Sequence, residues 1–185
     1  RFGSHKLLHK MTNGSTLIDA IAAAVAKRDP NDLWFVTGHH AENMSSYLRG
    51  FQCLPVSDYV AGMGHSIAAG VRHLQSLAID YDAVLIVLAD QIALSSAGLE
   101  HFIGTYEASN NWEAVQLAVY ESGDLLVKTP PAIFPRRDFA ALSQLGGDSG
   151  GTAIVKDAER HHRLQTHWLA EAGIDIDTPA DLEAL

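Results

Sequence analysis

Hydrophobic and polar positions along this chain follow two alternating rhythms. Leu33–Thr37 (LWFVT) and Ala83–Ala89 (AVLIVLA) are short, continuous apolar runs, the second rich in branched residues. Such runs fit strands of a parallel sheet covered on both faces. Ala114–Tyr120 (AVQLAVY) predicts a third strand, and Gln52–Val56 a weaker one that Pro55 assigns to an edge or a bend. Between them the period becomes helical. Leu17, Ile18, Ile21 and Val25 share a face behind Ser15, which is read as the cap, and Asp29-Pro30 stops that helix. Ala41–Arg49 predicts a short helix ended by Gly50. Ile67, Val71, Leu74 and Ala78 recur at helical spacing, as do Leu99, Phe102, Ile103 and Tyr106. Regular alternation of helix and strand implies right-handed crossovers and an α/β fold with a doubly wound, mostly parallel sheet flanked by helices.

After Tyr120 the pattern loosens. Pro130, Pro131 and Pro135 come first, then Gly146–Gly151 (GGDSGG), then a short helix to Arg160. This stretch predicts an insertion or lid on the same domain. With no linker, repeat or low-complexity segment, residues 1–185 read as one domain, a size that one core can support.

Composition narrows the function classes. The formal net charge of -9 argues against non-specific nucleic-acid binding, which draws on clustered Lys and Arg, although a few placed cations and a metal can still hold a phosphorylated ligand. No apolar run reaches a membrane span of roughly 18 residues. The single cysteine, Cys53, excludes an intramolecular disulfide framework and fits a reducing, cytoplasmic location.

Candidate chemistry concentrates at a few places. Asp90 closes the apolar run AVLIVLAD, and open α/β sheets bind ligands beyond the carboxyl ends of their strands. A carboxylate there suits Mg2+, which often keeps only one or two protein carboxylates. The alternative, a cap for the next helix, places Asp90 too early, because that helix starts near Ser95 or Ser96. Asp175 and Asp177 lie as a pair of carboxylates on one side of an extended segment before Thr178-Pro179, which opens a last helix; the alternative is a plain cap by Asp177 or Thr178. In Gly62-Met63-Gly64-His65-Ser66, glycines allow close backbone approach and the following helix offers N–H groups, with a simple cap by Ser66 as the alternative. The same stretch falls one residue short of a G-x-S-x-G nucleophile elbow, since Ala68 stands where Gly is needed and Tyr59–Met63 makes a poor strand. Lys6, beside a Gly-containing turn, can meet phosphate as a point charge. Asp148 is the carboxylate of a glycine-rich loop that is otherwise a surface turn. The ten histidines lack the spacing of a zinc site and read as solvated surface groups.

These pieces, in this order, resemble the MobA-like nucleotidyltransferases, most of all the molybdenum cofactor cytidylyltransferase branch. RFGSHKLL at Arg1–Leu8 resembles the family's R-F-G-x-x-K-L-L, and NGSTLI from Asn13 its G-x-T-L-L helix start. GMGHSIAAGV from Gly62 resembles the base-recognition loop and helix, and LADQ from Leu88 resembles L-x-D-Q-P. PAIF from Pro131, GDSG from Gly147 and Asp175–Leu182 resemble P-x-x-F, G-D-x-G-A-R and D-I-D-T-P-E-D-L. Two departures stand out. Ile92 replaces the proline after Asp90-Gln91, and Gly151-Thr152 replaces Ala-Arg, whose arginine the resemblance associates with holding the second substrate.

The resemblance implies a Rossmann-like nucleotidyltransferase fold whose first strand and Gly-rich loop precede Arg1. It implies a Mg2+-dependent enzyme that moves an NMP from an NTP, with CTP favoured, to a phosphorylated small-molecule acceptor such as molybdopterin cofactor, releasing pyrophosphate. By the same resemblance Arg1 and Lys6 hold the triphosphate, and Gly62, Gly64 and Ser66 contact base or ribose. Asp90 and Asp177 hold Mg2+, with Asp175 the alternative to Asp177, Lys6 and Asp90 are catalytic, and Asp148 faces the acceptor. The alternatives are a guanylyl or other nucleotidyltransferase with a different acceptor, or a non-catalytic nucleotide-binding module. The expected partners are the NTP and the acceptor, with neither nucleic acid nor membrane.

Overall fold

The structure is a computed structural model that describes residues 6–38, 41–148 and 150–174. Among the described residues, six helices, α1 (Leu17–Val25), α2 (Ala41–Ser45), α3 (Met63–Ser76), α4 (Ser96–Ala108), α5 (Phe139–Leu142) and α6 (Thr152–Arg160), accompany six strands. The strands are β1 (Trp34–Thr37), β2 (Gln52–Pro55), β3 (Ala83–Ile86), β4 (Val115–Ser122), β5 (Leu125–Pro135) and β6 (Leu164–Trp168). Single 3-10 turns at Lys6–Leu8, Ser57–Ala61, Arg136–Asp138 and Ala170–Gly173 join them.

The sheet is mixed, which corrects the expectation of a mostly parallel one. β1 and β2 pair in parallel, and β3, β5, β4 and β6 form a four-stranded sheet in that order. β5 runs antiparallel to β3 and β4, while β4 and β6 are parallel. The proline-rich stretch after Tyr120 is therefore no lid but an inner strand of the sheet. A bulge accommodates it. Leu117 pairs with Ala132 and the next residue, Ala118, with Thr129, so Pro130 and Pro131 face no partner and no ladder N–H is missed. The Pro130–Pro131 bond is cis.

Helices cover both faces, as the continuous apolar strands predicted. Ala83, Leu85, Ala118 and Ile133 pack with Ile18 and Ile21 of α1 and Leu99 and Phe102 of α4. Val84, Ile86, Leu117 and Phe134 face the other way, against Val71 of α3, Leu142 of α5 and Ile154 of α6. This is the period-two alternation of strands between two covered faces.

The helix ends refine the sequence reading. Thr16, not Ser15, caps α1: its hydroxyl accepts from the Asp19 N–H, and the Asp19 carboxylate accepts from the Thr16 N–H at 2.7 Å, a reciprocal capping box. α2 stops at Ser45, short of Arg49. Ser95 caps α4, as expected from its position. Ile92 is buried against Leu17, so an apolar side chain fills the place of the expected proline.

His73 and His167 are half-buried rather than fully solvated. The His73 ring packs edge-on to Trp34 with centroids 4.1 Å apart. His167 Nε2 donates to Gln116 Oε1 at 2.5 Å beneath Phe102, and Gln116, fully buried, also donates to Gln165 Oε1. Burial lowers the His167 pKa, and nearby His101 lowers it further.

Candidate functional site

β3 ends at Ile86, and the chain then turns through Leu88–Asp90. Asp90 therefore sits beyond the carboxyl end of a strand, where its sequence position put it. Lys6, on the 3-10 turn before α1, reaches it: Lys6 Nζ lies 3.3 Å from Asp90 Oδ2. Leu7 and Leu8 carry the turn against the core, and this anchors the lysine stem. The pair is partly exposed, so its solvent-screened Coulomb energy is small and its significance lies in placement.

The turn that carries Asp90 is held by the residue after it. Gln91 is buried, with its Oε1 accepting from the Leu88 N–H at 3.3 Å. Its Nε2 donates to Pro130 O at 2.5 Å and to Ala172 O at 3.3 Å. The Ala170–Gly173 turn is tied to the same region a second time, because the Glu171 carboxylate accepts from the Ser95 N–H at 2.8 Å and from the Ser95 hydroxyl. A carboxylate at that helix N-terminus also suits the α4 dipole. The sequence reading missed Gln91 and Glu171. The D-Q dipeptide after a strand was the available signal for the first; nothing local marked the second.

A second cluster joins two loops far apart in sequence. Gly62 has φ +105°, open to glycine but strained for other residues. A Cβ there would collide with the Gly147 backbone and with Asp148 Oδ1. A Cβ on Gly64 would lie 2.8 Å from Gly146 O, and the Gly64 N–H donates to Gly147 O at 2.8 Å. Gly147 N–H in turn donates to His65 Nδ1 at 3.3 Å. The close approach expected of these glycines is made to the loop bearing Asp148. Ser66 lies inside α3 rather than capping it. Gly62 follows a 3-10 turn, not a strand, so the context of a nucleophile elbow is lacking. Gly151 also has a packing reason, since a Cβ there would meet the Phe134 ring at 3.0 Å.

The structure thus brings Lys6 to Asp90, Gly62 to Asp148, and Gly64 to Gly146 and Gly147. Arg1, Asp175 and Asp177 lie outside the described residues. Among the described residues no three His, Cys, Asp or Glu side chains gather as a metal site, and no helix is long and apolar enough to cross a membrane. Asp90 still offers a hard oxygen ligand already opposed to a positive charge, which fits an ion that keeps few protein ligands.

Comparison with known proteins gives this geometry a context. A family model described as the MobA-like NTP transferase domain matches residues 1–164. The purine catabolism protein PucB of Bacillus subtilis (strain 168) is 31% identical over 131 residues. The match takes in 68% of this chain but 57% of PucB, so the chain spans little more than half of that relative's length. Among solved structures, Rv0371c from Mycobacterium tuberculosis H37Rv is similar with a TM-score of 0.78 at 21% identity, covering 100% of this chain and 90% of that one. Its complex with manganese gives a TM-score of 0.74 at 21% identity, with 99% and 92% covered. A 4-diphosphocytidyl-2C-methyl-D-erythritol synthase gives 0.68 at 16% identity, with 97% and 90% covered. At such identities the structural likeness is one of fold.

Proposed function

Because the chain belongs to the MobA-like NTP transferase family, we propose that it transfers a nucleoside monophosphate from CTP to the phosphate of a molybdopterin-type acceptor. An oxygen of the acceptor phosphate attacks the α-phosphorus in line. The bond from that phosphorus to the β-phosphate oxygen breaks, and pyrophosphate leaves with the electron pair. The attacking monoester is already largely ionised near neutral pH, with a second pKa of about 6, so no general base is required. What remains for the protein is positioning and charge stabilisation.

In this reading Lys6 and Arg1 meet the triphosphate, and Gly62, Gly64 and Ser66 face base or ribose. Asp90 and Asp177 would hold Mg2+, and Asp148 faces the acceptor. When bound, Mg2+ supplies neutralisation of the phosphate charge. The observation that carries the reading is the meeting of Lys6 and Asp90 beyond the end of β3. A cation and a carboxylate held together there supply complementary grips for a metal–triphosphate.

A screen of the four NTPs, with molybdopterin acceptor and Mg2+ and reading pyrophosphate, tests this directly. CTP-dependent, acceptor-dependent release is expected; release with GTP preferred would move the protein to a guanylyl reaction. A different acceptor in the same chemistry is the second reading. It is favoured by the similarity to a protein named for purine catabolism and by Gly151-Thr152 standing where the family's Ala-Arg would be. Loss of metal dependence in Asp90→Asn or Asp177→Asn would identify each carboxylate as a ligand.

A further inference from the structure

Gln91 is 5% exposed, and its carboxamide makes three hydrogen bonds to three separate stretches of backbone. Each stretch bears on the proposed site. Through Leu88 N–H it closes the turn that presents Asp90, and its own N–H bonds back to Leu88 O at 3.2 Å. Through Pro130 O it takes the carbonyl that the β5 bulge leaves without a strand partner, which ties the turn to the inner strand of the sheet. Through Ala172 O it holds the last described turn, which Glu171 also fastens to the start of α4.

We infer that Gln91 is a positioning residue that sets the metal affinity of Asp90. The inference rests on the nucleotidyltransferase reading of Asp90. A carboxylate on a loop four residues past its strand has no ladder to orient it. Outer groups that fix a ligand's direction commonly govern how well it holds an ion. An amide is also the side chain this place requires. Both N–H donors answer carbonyls and the oxygen answers an N–H, so a carboxylate would face two carbonyl oxygens and a thioether would answer none.

The experiment is titration of the purified chain with Mn2+ alone, followed by the paramagnetic resonance of free Mn2+. Wild type, Gln91→Met, Gln91→Glu and Asp90→Asn are compared, with cooperative thermal melting as the check on folding. Folded Gln91→Met or Gln91→Glu is expected to bind Mn2+ about 10–100-fold more weakly. Its kcat for pyrophosphate release should fall, while the Kd for CTP without metal stays at the wild-type value. Wild-type Mn2+ affinity in a folded Gln91 variant would overturn the inference. So would failure of both variants to fold, which would make Gln91 a folding residue. Unchanged Mn2+ binding in Asp90→Asn would instead overturn the metal role of Asp90.

Discussion

Lys6 and Asp90, 84 positions apart in the chain, form an ion pair at 3.3 Å. A lysine and a metal ion would seek the same carboxylate oxygen, so they compete for it until a triphosphate offers the lysine another anion. Lys6→Met should therefore bind Mn2+ more tightly than wild type when nucleotide is absent. It should also release pyrophosphate at least about tenfold more slowly, as when a group that stabilises developing charge is lost. Equal Mn2+ affinity in the two proteins would show that the ion pair does not gate the metal.

Gly62 leaves no room for a side chain and holds a positive φ. Gly62→Ala should cost about 1–3 kcal/mol of stability from backbone strain alone. The displaced Gly147–Asp148 backbone should raise the KM for the acceptor together with that for the NTP. Steady-state kinetics with each substrate varied in turn would show this; a rise in the NTP value only would place Asp148 outside the acceptor site.

Ser95 accepts from the Gly98 N–H at 3.0 Å and donates to Glu171. Ser95→Ala should lose about 0.5–2 kcal/mol, the range for a lost helix cap. In urea denaturation the midpoint should fall at constant m-value. Glu171→Ala should be destabilising in the same direction, because the Ser95 N–H loses its acceptor.

His167 supplies a pH-dependent contribution. Its folded pKa lies below the ordinary 6.5, so the folded state favours the neutral ring. The corresponding stability is complete above pH 6.5, in the window set by the unfolded value. It is lost as the pH falls through the lowered folded value, where the half-buried ring must take up a proton. Replacing it by glutamine, which has a donor but no charge, should flatten the acid side of the curve relative to wild type. Urea midpoints of the two proteins at pH 7.5 and 5.5 would reveal the difference; parallel curves would dismiss the assignment.

Local patterns carried much of this fold into view. Continuous apolar runs marked β1, β3 and β4, and helical spacing marked α1, α3 and α4, because each of those elements buries a face that its own residues define. β5 escaped because three prolines argue against a strand; the bulge opposite Leu117 and Ala118 admits Pro130 and Pro131, and Pro135 stands at the last position of the strand, opposite Ala83. β6 escaped because LQTHW has few apolar residues; its Gln165 and His167 are satisfied by Gln116 on β4, a pairing invisible until the strands are aligned. At the candidate site, Asp90 was legible from its place at the end of an apolar run, although the strand itself stops four residues earlier, at Ile86. The Gln91 and Glu171 ties were not, because each depends on backbone groups brought in from distant elements.

The contact of Gly62 and Gly64 with Gly146–Asp148 also bears on how such a protein can change its substrates. Two loops that touch backbone to backbone have no compressible layer between them, so neither can be lengthened or given side chains at the seam without the other yielding. Grafting one loop from a relative should fail where grafting both succeeds. Under the roles proposed for the two loops, nucleotide preference and acceptor preference would then be inherited as a single block, and lineages should differ in both or in neither.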